Sequence, residues 1–414
     1  MYHFATGRES TVVMNPAAMN PGARPTHVGL AFVHSFAYYR RILRGIWRYV
    51  EARPQWQLTS IAPEQQPARL RGRFRPDGLI VALNTTALER ALATWRRPAV
   101  NISAVFSRQR FARVGVDNVQ VGRLAANHFL ERGLRHFAFV GPPRHLFSTQ
   151  RREAFCQALQ EMGHTAACYD GAAKLEFDPL GHLWDLGPHV LRWLRKLPTP
   201  VGVFTPNDLW GVQVVLACRR ADLRVPEDVA VLGVDDDDLY CELTRPRLSS
   251  IIVPAEQIGY EAVALLERLL AGEKPPCEPV LLPPAGINAR RSSEVLAIED
   301  EDVVAAVRFI REHAHRPLRV ADVLEHVPLG RRTLERRCRA ALGWGVAEEI
   351  RRTHVERACR LLAGTNLSMR AVASHAGFFD YRHLAVVFRK QLRTTPTAYR
   401  RQMRSPIGAE DTSG

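Results

Sequence analysis

Near the C-terminal end of this 414-residue chain, Arg331, Arg332, Arg336 and Arg339 recur at helical spacing, with Thr333 among them. A guanidinium carries a rigid fork of donors that can take two acceptors of a guanine edge or clasp a phosphate. Fifty residues on, Asp380, Tyr381, Arg382 and His383 occupy the matching place in a second pattern. From Val303 to Arg404 there are 21 Lys and Arg against 8 Asp and Glu, a net of +13, while the whole chain is +15. A basic surface carried on helices is the footprint of a phosphate-backbone partner. The expected partner is DNA, read in the major groove by two recognition helices per protomer.

The elements that must position these side chains are legible as a repeat. In Val320–Gly343 the apolar positions Val320, Val323, Leu324 and Val327 precede a break at Pro328–Leu329–Gly330, and Leu334, Cys338 and Leu342 follow it. That is helix, tight turn, helix. The pattern returns with Val323 matching Ala373, Val327 Gly377, Leu334 Leu384 and Cys338 Phe388, and an internal repeat is a stronger signal than one such unit. The second recognition helix is expected from near Asp380 to Leu392. The segment GFFDYRHLAVVFRKQLRTTPTAYRR, Gly377–Arg401, resembles the signature of AraC-type transcription regulators. The resemblance covers Val303–Gln402 and implies two helix-turn-helix units joined by a helix starting near Val346. This chain departs from the pattern at Arg393, where a helix-ending Gly is usual, at His354, where the linker helix has a basic residue, and at Gly330, where a Ser cap is common. Gly in place of a Ser cap costs only a few tenths of a kcal/mol.

Upstream the texture differs. Residues 1–26 mix Pro, Gly, Asn and Met without an apolar period and are expected to be a disordered leader. Strands are expected at His27–Val33, Leu58–Ile61, Gly78–Leu83, Ala99–Ile102, Arg113–Val116, Phe137–Val140, Val201–Thr205 and Val229–Val234. Helical patterns lie between them, at Tyr39–Glu51, Asn118–Glu131, Arg151–Met162, Leu186–Arg195 and Leu209–Arg220. Alternation of this kind indicates βαβ units in doubly wound parallel sheets, and so many units need two sheets with a cleft between them. Pro275–Arg291 is proline-rich and extended. The expected domains are 27–291, an acidic linker at 292–302, a helical domain at 303–404, and a disordered tail at 405–414.

Gly115–Gly141 (GVDNVQVGRLAANHFLERGLRHFAFVG), then TQRREAFCQAL, FTPNDLWGVQVV, VAVLGVDD and LSSIIVPAEQIGYEAVALLERLL, resemble the sugar-sensing core of LacI/GalR-type regulators. The resemblance implies a two-lobed α/β sensor of periplasmic-binding-protein type, followed by the all-α domain with its two helix-turn-helix units. No helix-turn-helix pattern precedes the core. A sensor of this kind joined to an AraC-type reader, with YYRRILRGI near its start, resembles the xylose-operon-regulator type. By that match the ligand-binding residues are Arg151, Asn207 and Asp235, then Asp117, then Asn84, with Phe36, Tyr38 or Tyr39 as the apolar ring contact. Their chemistry suits a polyol, whose hydroxyls both donate and accept, and strand carboxyl ends are where open α/β sheets bind ligands. Asn207–Asp208 also reads as a helix cap, Asp235 as a turn residue and Arg151 as a surface charge. The implied function is a ligand-responsive activator of sugar catabolism genes, sensing a pentose such as xylose, with another sugar or a non-sugar ligand and repression as rivals. A homodimer and RNA polymerase are the further expected partners, with no membrane partner.

Other chemistries find less support. Asp235–Asp238 is a run of four acids, but consecutive carboxylates on a loop splay apart and no His or Cys stands at ligand spacing nearby, so a solvated turn is the expectation and no metal. None of the H-E-x-x-H, G-x-S-x-G, Walker or G-x-G-x-x-G motifs occurs, and neither an enzyme nor a cofactor is expected. The seven cysteines form no C-x-x-C pair and read as small buried hydrophobes in a reducing compartment. No apolar run reaches bilayer length and the start lacks a signal-peptide layout, so the expected location is cytoplasmic. The basic repeat and the lack of a signal peptide argue against a transport component.

Overall fold

Strands whose every residue is apolar and buried, such as β4 (Gly78–Val81) and β10 (Val229–Val234), belong in the middle of parallel sheets covered on both faces. The structure, a computed structural model, describes residues 25–33, 36–61, 75–106, 110–169, 186–295, 300–392 and 394–404, with 13–14, 68 and 70 besides. The expected leader, apart from 13–14 and its last two residues, the tail 405–414 and Arg393 lie outside these.

The first sheet runs β1 (Val13–Met14), β3 (Trp56–Ser60), β2 (Thr26–Ala31), β4, β5 (Ala99–Asn101), β6 (Ala112–Val116) and β12 (Val280–Leu282). All its pairings are parallel except β1 with β3. The second runs β13 (Ile287–Asn288), β11 (Ser249–Ile251), β10, β9 (Val201–Phe204), β7 (His136–Phe139) and β8 (Ala166–Cys168), antiparallel only between β13 and β11. The chain therefore passes between the lobes after β6, after β11, and between β12 and β13. The sequence pattern does not reveal the short strands β8, β11, β12 and β13, because two or three residues carry too little period to register.

Amphipathic helices flank the sheets. On α1 (Ala37–Val50) the buried Ile42, Ile46, Tyr49 and Val50 form one stripe, and α2 (Thr86–Ala91) follows β4. In the second lobe, α3 (Asn118–Leu130) lies against α4 (Leu146–Glu161). Their Phe129 and Phe155 meet edge to face at 6.3 Å, and Phe155 packs on Phe204 of β9 at 5.2 Å. Close approach is possible because Gly122 of α3 has no Cβ, which would overlap Arg151 O and Ala154 of α4. The helices α5 (Gly187–Leu194), α6 (Asp208–Arg220) and α7 (Asp238–Leu243) complete this lobe, and α8 (Ala255–Leu270) packs on α1.

The stretch expected as a linker, 292–302, is packed at both ends. Ser292 and Ser293 are buried in the second lobe, where Ser293 Oγ meets His128 Nε2 at 2.8 Å, while Glu301 and Asp302 already belong to α9 (Glu301–Glu312). Hydroxyls satisfied by a buried lobe are indistinguishable by composition from hydroxyls in a loop. Among the described residues seven helices make the C-terminal part: α9, α10 (Val320–Leu324), α11 (Arg331–Leu342), α12 (Val346–Gly364), α13 (Met369–His375), α14 (Tyr381–Leu392) and α15 (Pro396–Arg404). Two separate cores hold them. Val323, Val327, Leu334 and Cys338 pack with α9, and Ala373, Leu384 and Phe388 pack with the later half of α12.

Candidate functional site

Between the lobes lies a cavity of about 190 Å³ whose walls come from both. The first lobe contributes Phe36, Tyr38 and Tyr39 at the start of α1, Ser103 beyond β5, and Arg113 of β6. The second contributes Asn118, Phe147, Arg151, Asn207, Asp208 and Asp235. Of the residues expected at the ligand, Arg151, Asn207, Asp235, Phe36, Tyr38 and Tyr39 thus share one cavity. Asp117 and Asn84 do not line it. The Asp117 carboxylate caps α3, accepting from the backbone N–H of Val119 and Gln120 at 2.9 and 3.1 Å, and the next residue, Asn118, faces the cavity instead.

Each wall residue is held by its element. Arg151 sits in the body of α4, which begins at Leu146, so it does not open that helix as the sequence suggested; the earlier turn places Phe147 under its guanidinium at 5.4 Å. Its Nε donates to Asn118 Oδ1 at 2.9 Å and its Nη1 donates to Pro206 O. Asn207 does cap α6, accepting from Trp210 N–H at 3.1 Å, yet its side chain also lines the cavity. Asp208 is buried, with its carboxylate accepting from Ser250 Oγ at 2.5 Å and from Asp237 N–H at 2.7 Å, in space left by Gly233, whose Cβ would overlap it. Burial pushes the Asp208 carboxyl well above its ordinary range, and the nearby Asp235 adds to this.

The acidic run 235–238 is not the solvated turn expected. Asp235 faces the cavity, Asp236 pairs with Arg290 at 2.8 Å, Asp237 is buried, and only Asp238 is exposed. The loop is held because Arg41 of α1 donates to the carbonyls of Asp235 and Asp236, and Ala37 N–H donates to Asp237 Oδ2 at 3.0 Å. These bonds tie one lobe to the other. Asp235 and Asp236 have φ of 105° and 52°, left-handed backbone that a side chain strains to adopt. Burial raises the Asp235 carboxyl to about 7, against the pull of Arg151 and Arg41. Among the described residues no group of His, Cys, Asp and Glu could hold a metal ion. Cys218, Cys241 and Cys338 are buried, but Cys156, Cys168 and Cys359 are half-buried and Cys277 is exposed, contrary to the reading of the cysteines as small buried hydrophobes.

The helical part presents its own surface. Arg331, Arg332 and Arg336 on α11 are exposed and make no ion pair among the described residues, Thr333 is half-buried, and Arg339 pairs with Glu335 at 3.5 Å. On α14 Arg382 and His383 are exposed, while the half-buried Tyr381 turns its hydroxyl to Thr397 Oγ1 at 3.2 Å. Asp380 caps this helix, accepting from His383 N–H at 2.7 Å. Val386 is 68 % exposed one turn after Arg382, a position that sequence reasoning misses because a valine in a helical pattern reads as core.

Several contacts join this surface to the lobes, among them Arg135, which donates to Ala340 O of α11 at 3.4 Å. At the far end of α3 from the cavity, Glu131 pairs with Arg352 of α12 and its carbonyl accepts from Arg311 of α9 at 3.3 Å. Tyr399 of α15 donates to Ala285 O at 3.0 Å, in the passage between β12 and β13.

Comparison with known proteins covers both parts. The profile of a periplasmic binding protein-like domain matches residues 126–293, and that of a helix-turn-helix domain matches 323–402. The xylose operon regulatory protein of Escherichia coli (strain K12) is 30% identical over 384 residues, 90% of this chain and 96% of that one. Its counterpart in Haemophilus influenzae is 26% identical over 382 residues, 90% and 97% of the two chains. The solved structure of a xylose-binding transcription activator has a TM-score of 0.56 to this chain at 29% identity, covering 90% of this chain and 97% of that one. No helix among the described residues is long and apolar enough to cross a membrane.

Proposed function

The chain belongs to the family of the xylose operon regulatory proteins, and from that premise we propose that it is a transcription activator switched by a pentose, D-xylose first, acting as a cytoplasmic homodimer that engages RNA polymerase at sugar catabolism genes. It is a DNA-binding regulator and not an enzyme in this reading. The observation that carries it is a cavity lined by polar groups of both lobes, in one chain with two exposed arginine- and histidine-bearing helices.

The chemistry follows from the walls. Arg151 can donate to sugar oxygens from the face its two protein bonds leave free, Asp235 can accept from hydroxyls, and Asn207 keeps its amide N–H groups for the ligand. Phe36, Tyr39 and Phe147 give the apolar faces against which a sugar ring packs. A ligand touching groups of both lobes favours the closed arrangement over an open one, and only by the difference in its affinity for the two.

Closure would reach the DNA-binding part by two routes. Helix α3, 13 residues and so about 20 Å long, begins at the cavity with Asn118 and ends beside Glu131, where Arg352 and Arg311 dock. The Tyr399 bond sits on the passage between β12 and β13, whose torsion must change when the lobes rotate. Movement at either contact reorients α11 and α14 on DNA.

The test is DNA selection and footprinting with the full chain, with and without D-xylose. A selected site with two adjacent major-groove segments, bound or bent differently when xylose is present, is the expected result. Binding that ignores every sugar tried would overturn the sugar reading, and salt-independent or sequence-blind binding would overturn the reader.

A further inference from the structure

The two cavity arginines differ in one respect that bears on the ligand. Arg151 faces Asp235 and Asp208, and its guanidinium bonds Asn118 and Pro206. Arg113, from the opposite lobe, is 4 % exposed and lines the same cavity, yet among the described residues it has no hydrogen-bond acceptor and no carboxylate. Its Nε is enclosed without a partner. The ionisable neighbour it does face is Tyr38, whose phenol burial holds far above its ordinary range, so the ring stays neutral and balances no charge. A buried guanidinium left this way is destabilising until something supplies acceptors to it. In a ligand cavity that something is the ligand.

We infer that Arg113 makes this cleft select an anionic sugar derivative, a polyol carrying a carboxylate, over the neutral sugar of the same carbon skeleton. The inference rests on the reading that the cleft binds a pentose skeleton, and it puts the acid of that skeleton ahead of neutral D-xylose as the tighter-bound effector. A neutral pentose offers the guanidinium single hydroxyl oxygens. A carboxylate offers two acceptors in the geometry of its fork, together with the missing charge. The polar groups of the second lobe, Asn207, Asp235 and Arg151, remain for the hydroxyls. Since Arg113 stands on one lobe and Arg151 on the other, the acid end and the hydroxyl end of such a ligand would bridge the lobes.

The experiment is calorimetric titration of the full chain at neutral pH with D-xylose, D-xylonate and acetate, repeated on Arg113→Met and Arg113→Lys. The wild-type chain should bind xylonate at least about tenfold more tightly than xylose, the scale of one charge-assisted bond pair. Arg113→Met should bring the two within about twofold and should raise the melting temperature of the ligand-free protein, because it removes an unpaired buried charge. Arg113→Lys should keep part of the preference. Equal or weaker binding of xylonate by the wild type overturns the inference and leaves the sugar reading standing, as does a preference that survives Arg113→Met. Acetate binding as tightly as xylonate reduces the site to a simple anion site and overturns it too. If neither sugar nor acid binds, the sugar reading fails and this inference with it.

Discussion

In the cleft, Arg113 and Arg151 are each 4 % exposed and enclosed by aromatic rings and backbone, whereas Arg331, Arg332 and Arg336 of α11 stand in solvent with no carboxylate paired to them among the described residues. The difference follows from what each environment does to a guanidinium. Enclosed, its field is unscreened, its geometry is set by neighbours, and it can discriminate one ligand from a near relative. Exposed, it is screened within about 8–10 Å, its position is loose, and its natural partner is a polyanion whose counterions it displaces. The same contrast recurs inside the reader. With the repeat offset of fifty, Arg332 and Arg382 correspond, but Arg336 corresponds to Val386. One recognition helix is cationic along its outer face, and the other mixes cation, imidazole and an apolar spot.

The largest expected effect is in the cleft. Arg151→Ala removes a cation facing Asp235 and frees Asn118, so affinity for the sugar effector should fall by about a hundredfold or more, the loss of about 3 kcal/mol for a buried charged donor. Calorimetry or ligand-induced thermal stabilisation reads it directly. Affinity unchanged within a factor of three would mean that enclosure of Arg151 serves the fold alone, and the comparison between enclosed and exposed arginine would lose its functional side.

The next effect is on α11. Arg332→Ala with Arg336→Ala should weaken DNA binding, and the slope of log K against log salt should become shallower by about 0.9 for each phosphate that the protein no longer neutralises. A change confined to one base position with the slope intact would instead assign those side chains to guanine edges, at about 1–3 kcal/mol each.

A third effect separates the two regions by pH. Asp235 has its folded pKa raised, from 3.8 to about 7. A carboxyl raised in this way supports the fold fully below its unfolded value and loses that support as pH rises through the folded one. The ligand-free protein should therefore lose melting temperature, by about several degrees, as pH rises from about 4 to about 7, and Asp235→Asn should flatten that part of the profile. The exposed arginines of α11 do not line the cleft beside Asp235, so a change confined to them should leave the slope as it is.

Much of this division was legible before the structure. The reader showed through because a helix repeats its environment every three to four residues, and Leu334, Cys338, Leu384 and Phe388 marked the buried side twice. The βαβ order of the lobes showed through for the same reason. Arg113 stayed hidden because it lies inside a strand, where the pleat decides which face a side chain takes and one residue of register reverses it. Asp117 and Asn118 were adjacent polar residues at one strand end, and only the cap geometry of α3 decides which of them turns inward. The acidic run from Asp235 to Asp238 looked like a solvated turn because Arg41 and Ala37, which hold it, lie far earlier in the chain.

The smallest expected effect tests the contrast between the two recognition helices. Val386 occupies on α14 the place that Arg336 has on α11, and an exposed valine offers a major groove no charge and no hydrogen bond. What it can meet is the methyl group of a thymine. Val386→Ser should then relax selection at one thymine position of the half-site bound by α14, by about 1 kcal/mol, with the salt slope unaltered. Val386→Thr, which keeps one methyl group, should retain part of that selection. Val386→Arg should steepen the salt slope by about 0.9 and blur the difference between the helices. A binding-site selection run on the three variants separates these outcomes. If Val386→Ser leaves every position of the site as selective as before, the apolar spot belongs to a protein contact, and α14 reads DNA through Arg382 and His383 alone.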